Sequence, residues 1–154
     1  MHISGTIGYS VIPSQRLAAM HSKIALRVLI VEPNDDFRYV FALLLELMGY
    51  MVETVGNAAE AINRVKKSAP DVVLTELNLG DVEGLDLASQ LRLLPSAKDI
   101  TLVATASYIH PNIEAIALKG GFEYFLAKPI TGEQIANVLQ LIGNRKGGKK
   151  IWLH

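Results

Sequence analysis

The chain has 154 residues, half of them hydrophobic, with 15 basic residues against 15 acidic ones and no cysteine. That length and apolar content supply one ordinary domain with a packed core and exclude a disordered chain. Balanced charge offers no global field for nucleic acid or an anionic membrane, and the missing thiols exclude disulfides, thiolate metal sites and cysteine nucleophiles, as suits a cytoplasmic protein.

Residues 1–23 lack signal-peptide order, because Ser4, Gly5, Thr6, Gly8, Ser10 and Pro13 interrupt the apolar positions and no basic region precedes them. They read as a poorly ordered extension, with Met20 as an alternative start. An amphipathic membrane anchor over residues 11–20 is the sharper reading, weakened by its single basic residue, Arg16. No apolar run approaches the roughly 18 residues that suggest a membrane span.

From Leu26 two kinds of segment alternate. Residues 26–31 are a short apolar run rich in β-branched side chains, and residues 37–48 place Val40, Phe41, Leu44, Leu45 and Met48 at helical spacing. Gly49 closes that helix, residues 51–55 give a second strand, and Asn57 caps a helix over 58–67 whose stripe is Ala58, Ala61, Ile62 and Val65. Pro70 prevents its continuation. Residues 72–75 form a third strand, 85–94 a third helix and 100–105 a fourth strand, with Pro95 between the last two. Residues 113–119 form a fourth helix ended by Gly120-Gly121, 122–127 a fifth strand, and 135–142 a last helix ended by Gly143.

Strands apolar at consecutive positions are buried on both faces, so the predicted fold is α/β, a doubly wound five-stranded parallel sheet of order 2-1-3-4-5. The crevice of such a sheet lies beyond the carboxyl ends of strands 1 and 3, which carry Glu32 and Glu76. Glu76, ending an apolar run, is expected to hold its carboxylate clear of the buried strand.

Four segments mark carboxyl ends of strands in order: Val-Leu-Ile-Val-Glu at 28–32, Pro-Asp-Val-Val-Leu-Thr-Glu at 70–76, Ala-Thr-Ala at 104–106 and Ala-Lys-Pro at 127–129. Together they resemble the signature segments of bacterial response-regulator receiver domains, over about residues 26–143. The resemblance implies a flavodoxin-like fold and signalling through protein contacts, without enzymatic activity. It also implies an acidic pair holding magnesium after strand 1, an aspartate accepting phosphate after strand 3, and a Thr or Ser and a Lys reading that phosphate.

Carried over by position, Glu76 stands at the phosphoacceptor, Thr105 at the hydroxyl, Phe125 at the aromatic switch and Lys128 at the lysine. Asn78 matches the residue whose backbone carbonyl serves the metal, and Gly84 the glycine of the following loop. Two departures fall on the chemistry. Glu32-Pro33 replaces the acidic pair, leaving Glu32, Glu76 and Asn78 as the metal set and magnesium weak or absent, since the Pro33 side chain has no ligand atom. Asp35 and Asp36 read better as first-turn acids of a helix capped by Asn34 than as replacement ligands. At the acceptor, the extra methylene of Glu76 moves the nucleophile by about 1 Å, and misplacement of that size costs on the order of 100-fold in rate.

The leading expectation is therefore a phosphorylation-independent pseudo-receiver. In it Glu76 partly imitates a phosphorylated aspartate by accepting charge-assisted contacts from Lys128 and Thr105. A static Glu76–Lys128 pair in a vestigial site weighs as much. The alternatives are a working phosphoacceptor supplied by a sensor histidine kinase and a structural dimerisation module. Partner contact or self-association is expected on the surface between Asn112 and Gly143.

Other chemistry finds little footing. His2, His21, His110 and His154 lack metal-ligand spacing, Ser107 and Tyr108 lack a nucleophile elbow, and no phosphate-cradling glycine loop follows strand 1. Residues 144–154, with Arg145, Lys146, Lys149 and Lys150 around Gly147-Gly148, read as a solvated basic tail.

Overall fold

The described residues of the computed structural model are 25–80, 82–107 and 111–152, backbone alone from residue 148. They form β1 (Arg27–Val31), α1 (Asp35–Leu47), β2 (Met51–Val55), α2 (Ala58–Lys67), β3 (Val72–Glu76) and α3 (Gly84–Arg92). A 3-10 turn (Pro95–Ala97), β4 (Thr101–Ala106), α4 (Ile113–Lys119), β5 (Tyr124–Ala127) and α5 (Gly132–Trp152) follow.

The five strands pair in parallel and their order is β2-β1-β3-β4-β5, as the sequence predicts. The central strands β3 and β4 are buried at every position, which requires helices on both faces. The edge strand β2 instead exposes Met51 and Glu53 on alternate residues. Phe41 and Leu45 of α1 and Ile135, Leu139 and Ile142 of α5 cover one face, over Val28, Ile30, Val72, Leu74 and Val103. The other face packs Leu29, Val73, Leu102 and Ala104 against α2, α3 and α4.

Helix starts follow local chemistry. Asn34 Oδ1 accepts from the Phe37 N–H at 2.8 Å, and Asn57 Oδ1 from the Glu60 N–H at 2.9 Å, each satisfying an otherwise unpaired first-turn donor. At α5, Thr131 Oγ1 accepts from the Gln134 N–H at 3.1 Å while Gln134 Oε1 accepts from the Thr131 N–H at 2.9 Å, a reciprocal cap.

Among the boundaries that move, two have a clear physical cause. The fifth strand begins at Tyr124, because Phe122 belongs to the loop after α4, where its N–H donates to Ala117 O at 3.2 Å. Gly121 makes that turn at φ 106°. The last helix does not stop at Gly143 but runs to Trp152, absorbing most of the stretch expected to be a solvated tail. A glycine inside a helix costs about 1 kcal/mol relative to alanine, and contacts across the domain offset it. Arg145 donates to Thr101 Oγ1 at 3.1 Å and pairs with Glu123 at 3.2 Å, and Lys146 Nζ donates to Asp99 O at 2.6 Å. The expected N-terminal extension lies outside the described residues, and no helix among those residues is long and apolar enough to cross a membrane.

Candidate functional site

Because β1 and β3 are neighbours at the centre of the sheet, the residues that end them emerge side by side, with β4 and β5 next. Glu32 follows β1, and its N–H donates to Val55 O at 3.1 Å, carrying the ladder one residue further. Glu76 is the last residue of β3, opposite Thr105 of β4. Lys128 follows β5, its N–H bound to Ala106 O at 2.8 Å.

These three side chains meet. Lys128 Nζ donates to Glu32 Oε1 at 2.5 Å and to Glu76 Oε1 at 2.8 Å. The second oxygen of each carboxylate is closed by the backbone two residues on. Glu32 Oε2 accepts from the Asn34 N–H at 3.0 Å, and Glu76 Oε2 from the Asn78 N–H at 3.1 Å. Phe37, in the first turn of α1, faces the ammonium with its ring centroid 4.1 Å from Nζ and stacks on Phe41 at 5.1 Å. Arg38 pins the loop after β1 by donating to Glu32 O at 2.7 Å and to Asp35 Oδ1 at 2.6 Å.

Glu32 and Glu76 are 3% and 5% exposed, so the expectation that Glu76 stands clear of the buried strand is overturned. Buried carboxylates need pairing and hydrogen bonds, and the shared ammonium with two backbone amides supplies both. The cluster floors an open cavity of about 370 Å³ that Pro33, Asn78 and Ser107 also line.

The other expected residues fall around this cluster. Thr105 is buried beside Glu76, yet the oxygens of Glu76 are taken by Lys128 and Asn78, so the expected Thr105 contact is not among them. Phe125, opposite Ala104, is half-buried against the α2, α3 and α4 side of the core. Gly84 opens α3 where an added Cβ would lie 2.8 Å from Glu76 O and from Leu77 Cα, so only glycine lets α3 approach β3 this closely. Tyr108 and His110 lie outside the described residues.

Magnesium takes near-octahedral oxygen ligands and keeps several waters. Here each of the four oxygens of Glu32 and Glu76 already accepts from an N–H donor, an ammonium stands between the two carboxylates, and Pro33 contributes nothing. Asp35 is turned to Arg38. The residues present do not fit the ion.

Fold and site together define a doubly wound α/β domain whose buried charged side chains gather beyond the carboxyl ends of β1, β3 and β5. The response regulator receiver domain model matches residues 28–140, and the chain belongs to that family. A response regulator receiver domain (CheY-like) from Methylobacillus flagellatus shares 30% identity at a TM-score of 0.68, covering 77% of this chain and 98% of that one. The polar-differentiation response regulator DivK of Brucella anthropi is 29% identical over 104 residues, 68% of this chain and 85% of its own length. The two-component response regulator-like APRR5 of Arabidopsis thaliana is 31% identical over 127 residues, 80% of this chain, of which the chain spans only 23%.

Sequence reasoning located the four strand ends but missed Phe37, Arg38 and the two closing amides. No sequence signal marks Phe37 as a partner of Lys128, since both sit in patterns that their own helix and strand explain.

Proposed function

We propose that this receiver domain takes its signalling state without phosphorylation, Glu76 serving as a permanent, partial substitute for a phosphorylated aspartate. The carrying observation is the 2.8 Å contact between Glu76 and Lys128, the residue that by family resemblance reads the phosphate. A glutamate supplies one charge and two oxygens where a phosphoryl group brings about −1.5 to −2 and three acceptors. Thr105 takes no part in the contact, so the imitation extends to the lysine alone. The missing ligand atom at Pro33 and the occupied oxygens of Glu32 weigh against the working-phosphoacceptor reading.

In this reading the domain acts by binding protein, through the surface between Asn112 and Gly143, in the cytoplasmic setting of two-component signalling. A sensor histidine kinase is the implied class of partner. Incubation with acetyl phosphate and magnesium, followed by intact mass measurement, tests it. The expected result is no mass gain; a phosphorylated species that disappears in Glu76→Ala overturns the reading.

A further inference from the structure

A surface helix normally turns polar side chains to water, and α1 does not. Phe41 and Leu45 face the core, yet the outward side carries Tyr39, Val40, Leu43 and Leu47, exposed by 71%, 61%, 45% and 78%. Met51, 60% exposed, opens β2 just past the end of the helix. Val40, Leu43 and Leu47 recur at intervals of three and four, the spacing of a helix–helix seam. Among the described residues nothing covers these side chains. An apolar face of this kind marks an interaction surface.

Size, pattern and charge select a second copy of the chain as its occupant. The exposed area of the five residues is roughly 600 Å², so a symmetric pair would cover about 1,200 Å² before any polar rim is counted, within the range of specific interfaces. The seam is also self-complementary. Crossed antiparallel with Leu43 on the two-fold axis, Val40 and Tyr39 of one protomer face the partner's Leu47, and symmetry repeats each contact.

That arrangement keeps like charges apart. Glu46 falls beside the partner's Val40 and within reach of the phenol of the partner's Tyr39, while Asp36 falls toward the partner's Met51. A parallel pair would instead set Asp35, Asp36 and Glu46 each against its own copy. No base on the helix could offset that repulsion, since Arg38 is held by Glu32 O and Asp35.

We infer that α1 forms the interface of a two-fold homodimer, closed antiparallel over Val40, Leu43 and Leu47. This surface is distinct from the one between Asn112 and Gly143. Because α4 packs on the other face of the sheet, it stays clear of the pairing, so the dimer can engage a partner at two sites.

Analytical ultracentrifugation of the full chain is expected to give twice the chain mass at high micromolar concentration. Leu43→Asp and Leu47→Asp should each return it to the monomer. Leu93→Asp, exposed elsewhere on the surface, and Ile116→Asp, on α4, should leave it dimeric. Unchanged circular dichroism in the Asp variants separates lost pairing from a lost fold. The absence of cysteine supplies a second readout that does not depend on those variants. Leu43→Cys, on the axis, is expected to cross-link to its own copy under mild oxidation in most chains, and Leu93→Cys in few. A monomeric parent chain overturns the proposal, as does Leu43→Cys that cross-links no better than Leu93→Cys. A dimer that survives Leu43→Asp but is lost in Ile116→Asp overturns it in favour of the surface between Asn112 and Gly143.

Discussion

Glu32 and Glu76, which end neighbouring strands, hold the same ammonium, Lys128 Nζ, at 2.5 and 2.8 Å. Each carboxylate spends its other oxygen on the amide two residues later, so the loops after β1 and β3 are tied to the same cation. The cluster is a structural element as well as a candidate signalling one.

Removing the cation leaves two buried carboxylates facing each other. Lys128→Met is expected to destabilise the domain by about 3–5 kcal/mol, the usual cost of breaking a buried pair from one side. Urea unfolding measures it, and adding Glu32→Gln and Glu76→Gln to Lys128→Met should recover most of the loss. An unshifted midpoint for Lys128→Met would mean that water already neutralises the carboxylates.

Magnesium binding should be recoverable by sequence. Pro33→Asp combined with Glu76→Asp restores the acidic pair and the shorter acceptor of the family pattern, and frees space beside Lys128. Amide shifts on magnesium titration are expected in the double variant, together with mass gain from acetyl phosphate. The parent chain should show neither.

Gly84→Ala tests the approach of α3 to β3. The new methyl would meet backbone at 2.8 Å on two sides, and backbone cannot rotate away. Overpacking of that kind costs about 1–3 kcal/mol, read as a lowered midpoint of thermal unfolding.

Arg145 ties α5 to Thr101 and Glu123. Its bonds to Thr101 and Glu123 are partly exposed, so Arg145→Ala should cost under about 1 kcal/mol in global stability. Hydrogen exchange of the amides beyond Ile142 should nevertheless accelerate, because two glycines at 147 and 148 leave that end dependent on tertiary contacts.

Burial raises the Tyr50 phenol above its ordinary value of 10.0. Protonated in the fold and ionising first in the unfolded chain, it contributes stability below that value which is lost as pH rises through the folded pKa. Tyr50→Phe should therefore show a shallower alkaline loss of stability than the parent chain in urea titrations.

The alternation of strand and helix, the strand order and the positions of Glu32 and Glu76 were legible in the chain, and Thr105 and Lys128 were added by family resemblance. Each of the former rests on a local pattern: a β-branched run, a stripe at helical spacing, a capping Asn, a polar residue at the end of an apolar run. Parallel strands buried on both faces leave few topologies, so local patterns were enough to place Glu32 and Glu76 side by side at the carboxyl ends of the central strands. What α5 does at Gly143 was not legible, because a glycine that ends a helix in isolation is carried through when Arg145 and Lys146 find partners in distant strands and loops.

The site divides in the same way. Sequence alone determined that Glu32 and Glu76 stand at the ends of the first and third strands and that the side chain of Pro33 brings no ligand atom beside them, since residue identity at a strand end does not depend on packing. Only the tertiary structure decided that Glu76 is buried, that it shares Lys128 with Glu32 and that Phe37 closes over the ammonium. Those facts depend on β1, β3 and β5 delivering their ends within a few ångströms of one another, and no local pattern encodes that distance.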